Sequence, residues 1–228
     1  MIKLSSLILA AGLAADIAGA APAATGDSFV YRISNGYNNE IRGTVSYRVA
    51  KVEADRIEIA VTTDTPSAGV ARTEIYTQDG NWLRHALASH DQLRDYEFPQ
   101  ALPVYAPPGD TSGSWSVRVD AIDPATGKRA SVRVDGEVLG SERITVPAGT
   151  FDTIRIMRRV YAGDWDGFMR ETHIVEIDWY APALGRAVKS DSKSSWQDMS
   201  RCGRGGGCPW FRGDWNVFEL AQTSTTKP

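Results

Sequence analysis

The chain has 228 residues, of which 42% are hydrophobic, 9% aromatic and 23% charged, with 25 basic against 28 acidic side chains. That balance excludes long-range disorder and collagen-like or mucin-like character. The slight acidic surplus argues against a nucleic-acid partner, which calls for a basic excess. Two cysteines are too few for a disulfide-dense scaffold or a four-cysteine zinc site.

The N-terminus carries one positive charge, Lys3, then an apolar run from Leu4 to Ala15 and a small-residue stretch, Ala18-Gly19-Ala20-Ala21-Pro22-Ala23. This order is that of a Sec-type signal peptide, with cleavage after Ala20 or Ala23 satisfying the small-residue rule equally. The run is too short to span about 30 Å of hydrocarbon, and no other stretch comes near the roughly 18 apolar residues of a membrane helix. The expected chain is therefore exported, periplasmic or secreted, and not membrane-spanning. Residues 1–23 are assigned to the signal, 24–221 to a single domain and 222–228 to a flexible tail.

From Phe29 onward the pattern has period two. Phe29, Tyr31 and Ile33 alternate with polar neighbours, as do Val45, Tyr47 and Val49, then Ile57, Ile59 and Val61. Trp115, Val117 and Val119 follow, then Val132, Val134 and Val138, Ile154 and Ile156, and Val175, Ile177 and Trp179. Such alternation puts one face on a core and the other in water, and β-branched and aromatic residues favour it. Turn chemistry separates the runs at Glu53-Ala54-Asp55, Asp79-Gly80, Asp123 to Gly127, Pro147-Ala148-Gly149 and Asp164 to Gly167. A helical turn is considered only between Leu83 and Leu93, where Leu87 and Leu93 would share a face. Ten to twelve strands are expected.

Two segments echo each other. Phe29 and Arg32 are matched 86 positions later by Trp115 and Arg118, and Tyr47-Arg48-Val49 by Val132-Arg133-Val134. Either an internal duplication of two meanders or chance likeness of alternating strands accounts for this. The Pro-rich stretch from Pro99 to Pro108 joins the halves inside one domain, because each half alone would be a marginal core.

After Ser190 the chain becomes polar, then Cys202 and Cys208 bracket Gly203-Arg204-Gly205-Gly206-Gly207. In an oxidising compartment these cysteines are expected to pair, since glycines let so short a loop turn back. Trp210, Phe211 and Arg212 follow. With Trp165, Phe168, Trp196 and Trp215 they place an unusual number of rings in or beside loops, able to form a partner-binding edge or to plug a barrel end.

Three segments taken together, Gly26-Asp27-Ser28-Phe29-Val30-Tyr31-Arg32, Val146-Pro147-Ala148-Gly149-Thr150-Phe151, and Trp179-Tyr180-Ala181-Pro182 followed by Gly185-Arg186-Ala187-Val188-Lys189, resemble a family of exported bacterial β-rich proteins of unknown function. The likeness spans residues 26 to 190. It implies antiparallel β structure similar to the half-barrel of periplasmic lipoprotein carriers, and it implies no activity. Physically, Val146 to Phe151 is a strand, tight turn and strand, while Pro182 stops a ladder.

Catalytic signatures are sparse. There is no His-Glu-x-x-His, nucleophile elbow, Walker loop or dinucleotide fingerprint. Glu171-Thr172-His173, with Glu176 and Asp178 nearby, is the one constellation that could hold a metal or act as a base. By parity His173 shares a face with Val175, Ile177 and Trp179, which suggests a histidine at the core edge.

The sequence thus specifies an all-β, antiparallel, strongly curved sheet or partly open barrel with little helix. The leading expectation is a non-catalytic carrier without cofactor or metal, sheltering an apolar or lipid-like ligand among Tyr31, Tyr47, Val49, Ile59 and Trp115. The alternative is an envelope interaction module contacting a protein partner through Trp210, Phe211 and Arg212. A hydrolase built on His173 and Glu171 ranks last.

Overall fold

The computed structural model describes residues 23–64, 71–90, 92–105, 113–163, 172–202 and 207–225. The expected signal segment, Ala23 apart, and Trp165, Phe168 and Glu171 lie outside these residues.

Twelve strands close into one antiparallel barrel. They are β1 (Ser28–Asn35), β2 (Ile41–Val52), β3 (Ile57–Thr63), β4 (Arg72–Tyr76), β5 (Trp82–Ser89), β6 (Gln92–Leu102), β7 (Ser114–Ile122), β8 (Arg129–Val146), β9 (Gly149–Ala162), β10 (Thr172–Ala181), β11 (Arg186–Gln197) and β12 (Trp210–Ser224). Each pairs with its sequence neighbours, and β1 pairs with β12 to close the ring. Alternation alone points to a strongly curved sheet or a partly open barrel. Closure is decided by that one long-range pairing, which abolishes both sheet edges.

The last strand extends into the expected tail: Gln222, Thr223 and Ser224 pair with Val30, Phe29 and Ser28. The helical turn considered between Leu83 and Leu93 is instead the β5–β6 hairpin. The chain leaves β5 through His90, which lies in the left-handed region (φ 56°), a conformation a helix could not accommodate.

Inward positions follow the period-two pattern. Phe29, Tyr31 and Ile33 are buried, as are Val45 and Val49, Ile57, Ile59 and Val61, Trp115 and Val119, Val132 and Val134, and Ile154 and Ile156. Outside, β7 to β9 present Arg118, Asp120, Arg133, Asp135, Glu137 and Arg159. This is a hydrated surface, unlike the apolar band of a membrane barrel. Among the described residues no helix is long and apolar enough to cross a membrane.

The core divides into two main clusters and a small third. One lies among β5 to β10 around Trp82, Leu87, Tyr96, Phe98 and Val160. The other lies at the end of the barrel where β1 begins, around Phe29, Tyr31, Val49, Ile59 and Leu220. The tip of the long β8–β9 hairpin folds into that second end. Val146 is buried there, Ala148 and Phe151 pack against the cluster, and the Ala148 amide donates to the Leu220 carbonyl at 3.0 Å. The Val-Pro-Ala-Gly-Thr-Phe segment is thus a stopper in the near mouth. At the far mouth the Cys202–Cys208 bridge closes the β11–β12 connection. There the His90 amide reaches across to Thr172 Oγ1, at 2.9 Å, and Trp196 stacks on Phe211 and meets His90 edge-on.

Candidate functional site

Cross-strand rows on the inner wall bring charged groups beside the apolar ones. Tyr47 pairs with Val61 and Val61 with Arg72, while Val49 pairs with Ile59 and Ile59 with Glu74. Because side chains one row across a sheet lie on the same face, Arg72, Glu74 and Tyr76 all project inward. Glu74 is fully buried and is held by Arg72 at 2.8 Å and His85 Nδ1 at 3.1 Å, and it accepts from the Tyr76 hydroxyl. Burial pushes its carboxyl up, but the charges of His85 and Arg72 and its hydrogen bonds outweigh that and bring it down to about 2. Burial, with the Glu74 charge next in weight, drives the Tyr76 phenol well above its usual range.

A second charged group crosses the lumen from β9. Arg158 bonds Asp178 at 2.5 Å and Glu176 at 3.1 Å, and donates to the Val104 carbonyl at 3.3 Å. Its guanidinium also lies over Trp82 and Tyr105. Every side of this cation is occupied, and the contacts tie β9 and β10 to the opposite wall.

The third group sits at the near mouth. Ala181 ends β10, Pro182–Leu184 form a single 3-10 turn, and Gly185 takes the left-handed conformation (φ 65°) that lets the chain double back. Arg186 then enters the lumen. Its guanidinium lies 4.1 Å from the Phe29 ring centroid, 5.0 Å from Tyr47 and 5.3 Å from Tyr31. Arg186 Nε donates to the Tyr31 hydroxyl at 2.7 Å, and that hydroxyl donates to the Ala187 carbonyl at 2.7 Å. Burial raises the Tyr31 phenol, although Arg186 draws it back.

Of the residues singled out in the sequence for ligand contact, four meet here. Tyr31, Val49 and Ile59 are buried in one cluster with half-buried Tyr47 packed against it. Trp115 belongs elsewhere, with Ile154, Ile156 and Tyr180. Its indole covers Gly136, directly across on β8, where a Cβ would collide with the ring. Trp210 is 53% exposed and Arg212 is exposed, whereas Phe211 turns toward Trp196.

His173 is not at the core edge. The faces of β10 are the reverse of the parity reading: Thr172, Ile174, Glu176, Asp178 and Tyr180 line the lumen, and His173, Val175, Ile177 and Trp179 face outward. Arg158 makes the inward carboxylates tolerable, so charge rather than hydrophobicity orients the strand. His173 lies on the outer wall between Tyr161 and Trp210, on the opposite face from Glu176 and Asp178. Among the described residues no group of three or more His, Cys, Asp and Glu side chains is placed to hold a metal ion.

Arg72, Glu74, His85, Arg158 and Arg186 escape the sequence reading. Their one legible trace is Arg186, which stands directly after Gly185 in the Trp-Tyr-Ala-Pro segment.

The class defined by this architecture is a closed twelve-stranded antiparallel barrel with a partly charged lumen. No family model and no curated protein matches the sequence. Two solved structures share the fold. A candidate lipoprotein from Parabacteroides distasonis ATCC 8503 has a TM-score of 0.54 and 15% identity, covering 89% of this chain and 97% of that one. A candidate exported protein with a YmcC-like fold from Bacteroides fragilis NCTC 9343 has a TM-score of 0.51 and 13% identity, covering 90% and 98%. At these identities the likeness is one of fold.

Proposed function

We propose that the protein is an exported, non-catalytic binding protein of the bacterial envelope that carries an apolar, lipid-like ligand in its barrel lumen. The observation that carries this reading is the convergence of Tyr31, Tyr47, Val49 and Ile59 on the inner wall at one mouth. Twelve strands enclose a wider interior than the eight whose side chains fill a small barrel, and an apolar wall with a few directed polar groups is the usual make-up of a ligand site. Export is supported by the signal-like pattern from Met1 to Ala23 and by the description of both structural neighbours as exported proteins or lipoproteins.

Native mass spectrometry of the protein purified gently from its own periplasm tests the reading. An added mass that disappears on organic extraction supports a carrier and reports the class of cargo. A clean apo mass removes it.

A second reading places a protein contact at the far mouth. Tyr37, Ile41, Leu93 and Trp210 are all more than half exposed there, and Arg212 stands beside Trp210. Crosslinking in the periplasm, with Trp210→Ala as control, tests this: a partner captured by the native chain and lost in the variant supports it.

A further inference from the structure

Among the described residues, Arg186 is treated differently from Arg72 and Arg158, which also face the lumen. Arg72 is paired with Glu74, and Arg158 with Asp178 and Glu176. Among the described residues no carboxylate pairs with Arg186, and its two terminal nitrogens form no hydrogen bond. The Tyr47 hydroxyl beside it also has no hydrogen-bond partner among the described residues. Holding a guanidinium half out of water without an anion is costly, and ring faces return only part of that cost. What the three rings do provide is rigidity. They fix the plane of the guanidinium and leave its terminal nitrogens as a fork of donors, the geometry that carboxylates and phosphates accept from arginine.

We infer that Arg186 is the head-group site of the lumen. Resting on the carrier reading, this assigns the ligand to the amphipathic acids, with a carboxylate or phosphate head on the Arg186 terminal nitrogens and the Tyr47 hydroxyl. The apolar part is directed at Val49, Ile59 and Val61, which are buried against one another on the same inner wall and must part to admit it. The head-group donors themselves are framed before the ligand arrives, so little ordering is required there.

The test uses the full exported chain and a dansyl-labelled undecanoic acid, displaced by oleate, oleyl alcohol or inorganic phosphate. A charge-assisted head-group contact predicts that oleate competes about tenfold better than oleyl alcohol. Arg186→Met should erase that preference, bringing oleate to the level of oleyl alcohol, and circular dichroism reports that the barrel is intact. Arg186→Lys, which keeps the charge and loses the fork, should retain only part of it, and it carries the test alone if the methionine variant does not fold. Equal competition by oleate and oleyl alcohol on the native chain, or a preference that survives Arg186→Met, overturns the inference and leaves the carrier reading standing. Displacement by inorganic phosphate as effective as by oleate overturns it in favour of a free-anion site. Failure of the dansyl acid, oleate and oleyl alcohol alike to bind removes both readings.

Discussion

Arg158 and Arg186 reach into one lumen under opposite terms. Arg158 is buried, bonded to two carboxylates and a carbonyl, and stacked between Trp82 and Tyr105. Arg186 has three rings and a phenol but no counter-charge among the described residues. The first arrangement is that of a structural brace, with a cation fully compensated by two carboxylates while tying β9 and β10 to the opposite wall. The second spends burial on a charge that no carboxylate among the described residues pairs with directly. A fold that compensates one lumen arginine fully and another hardly at all separates a brace from the cation proposed here for recognition.

The largest effect that would sharpen this contrast comes from Arg158→Met. It leaves Asp178 and Glu176 buried without their cation, and the expected loss is about 3–5 kcal/mol in urea unfolding. A loss below about 1 kcal/mol would remove the distinction. The Glu74 cluster should behave as a second paired brace. Its carboxyl falls from 4.5 to about 2 on folding, a contribution on the order of 3 kcal/mol. Because the folded value is the lower one, that stability is fully present above pH 4.5 and is lost as pH falls toward 2. Glu74→Gln should flatten the acid limb of the stability profile measured by circular dichroism. Neutralising the whole Arg158 cluster, as Arg158→Met with Glu176→Gln and Asp178→Asn, should recover most of the loss of the single variant, leaving about 1–2 kcal/mol. The smallest effect is expected for Arg186→Met, within about 1 kcal/mol of the native chain, since removing the unpaired cation offsets the lost ring contacts. The Tyr31 hydroxyl keeps its bond to Ala187. A loss as large as that of Arg158→Met would make Arg186 a brace as well.

Much of the wall was legible because alternation is local. Phe29, Tyr31 and Ile33, or Trp115 and Val119, declare their faces without reference to any other strand. The turns at Asp79-Gly80 and Asp123 to Gly127 declare themselves by residue type. What could not be read depends on a second strand. On β10 the alternation is as clear as anywhere, yet it does not say which face is inside. That is settled by Arg158 on β9, whose charge draws Glu176 and Asp178 inward against the hydrophobic pattern. Leu87 and Leu93 suggest a shared helical face only until His90 is seen to reverse the chain between them. The Arg186 site is hidden for a related reason: a missing counter-charge is a property of the surroundings, and no single segment records it.

Closure of the barrel by β1 and β12 sets the order in which the chain can finish folding. Ser28 pairs with Ser224, so the ring closes only when two strands nearly two hundred residues apart meet. Long-range pairings of this kind bear the highest loop-closure entropy and form slowly. Until β12 arrives, β1 keeps one unsatisfied edge, a template for pairing with another chain. A chain shortened by its last strand would leave two such edges, on β1 and β11. The final ring-closing event therefore protects the molecule from its own copies as well as completing its shape.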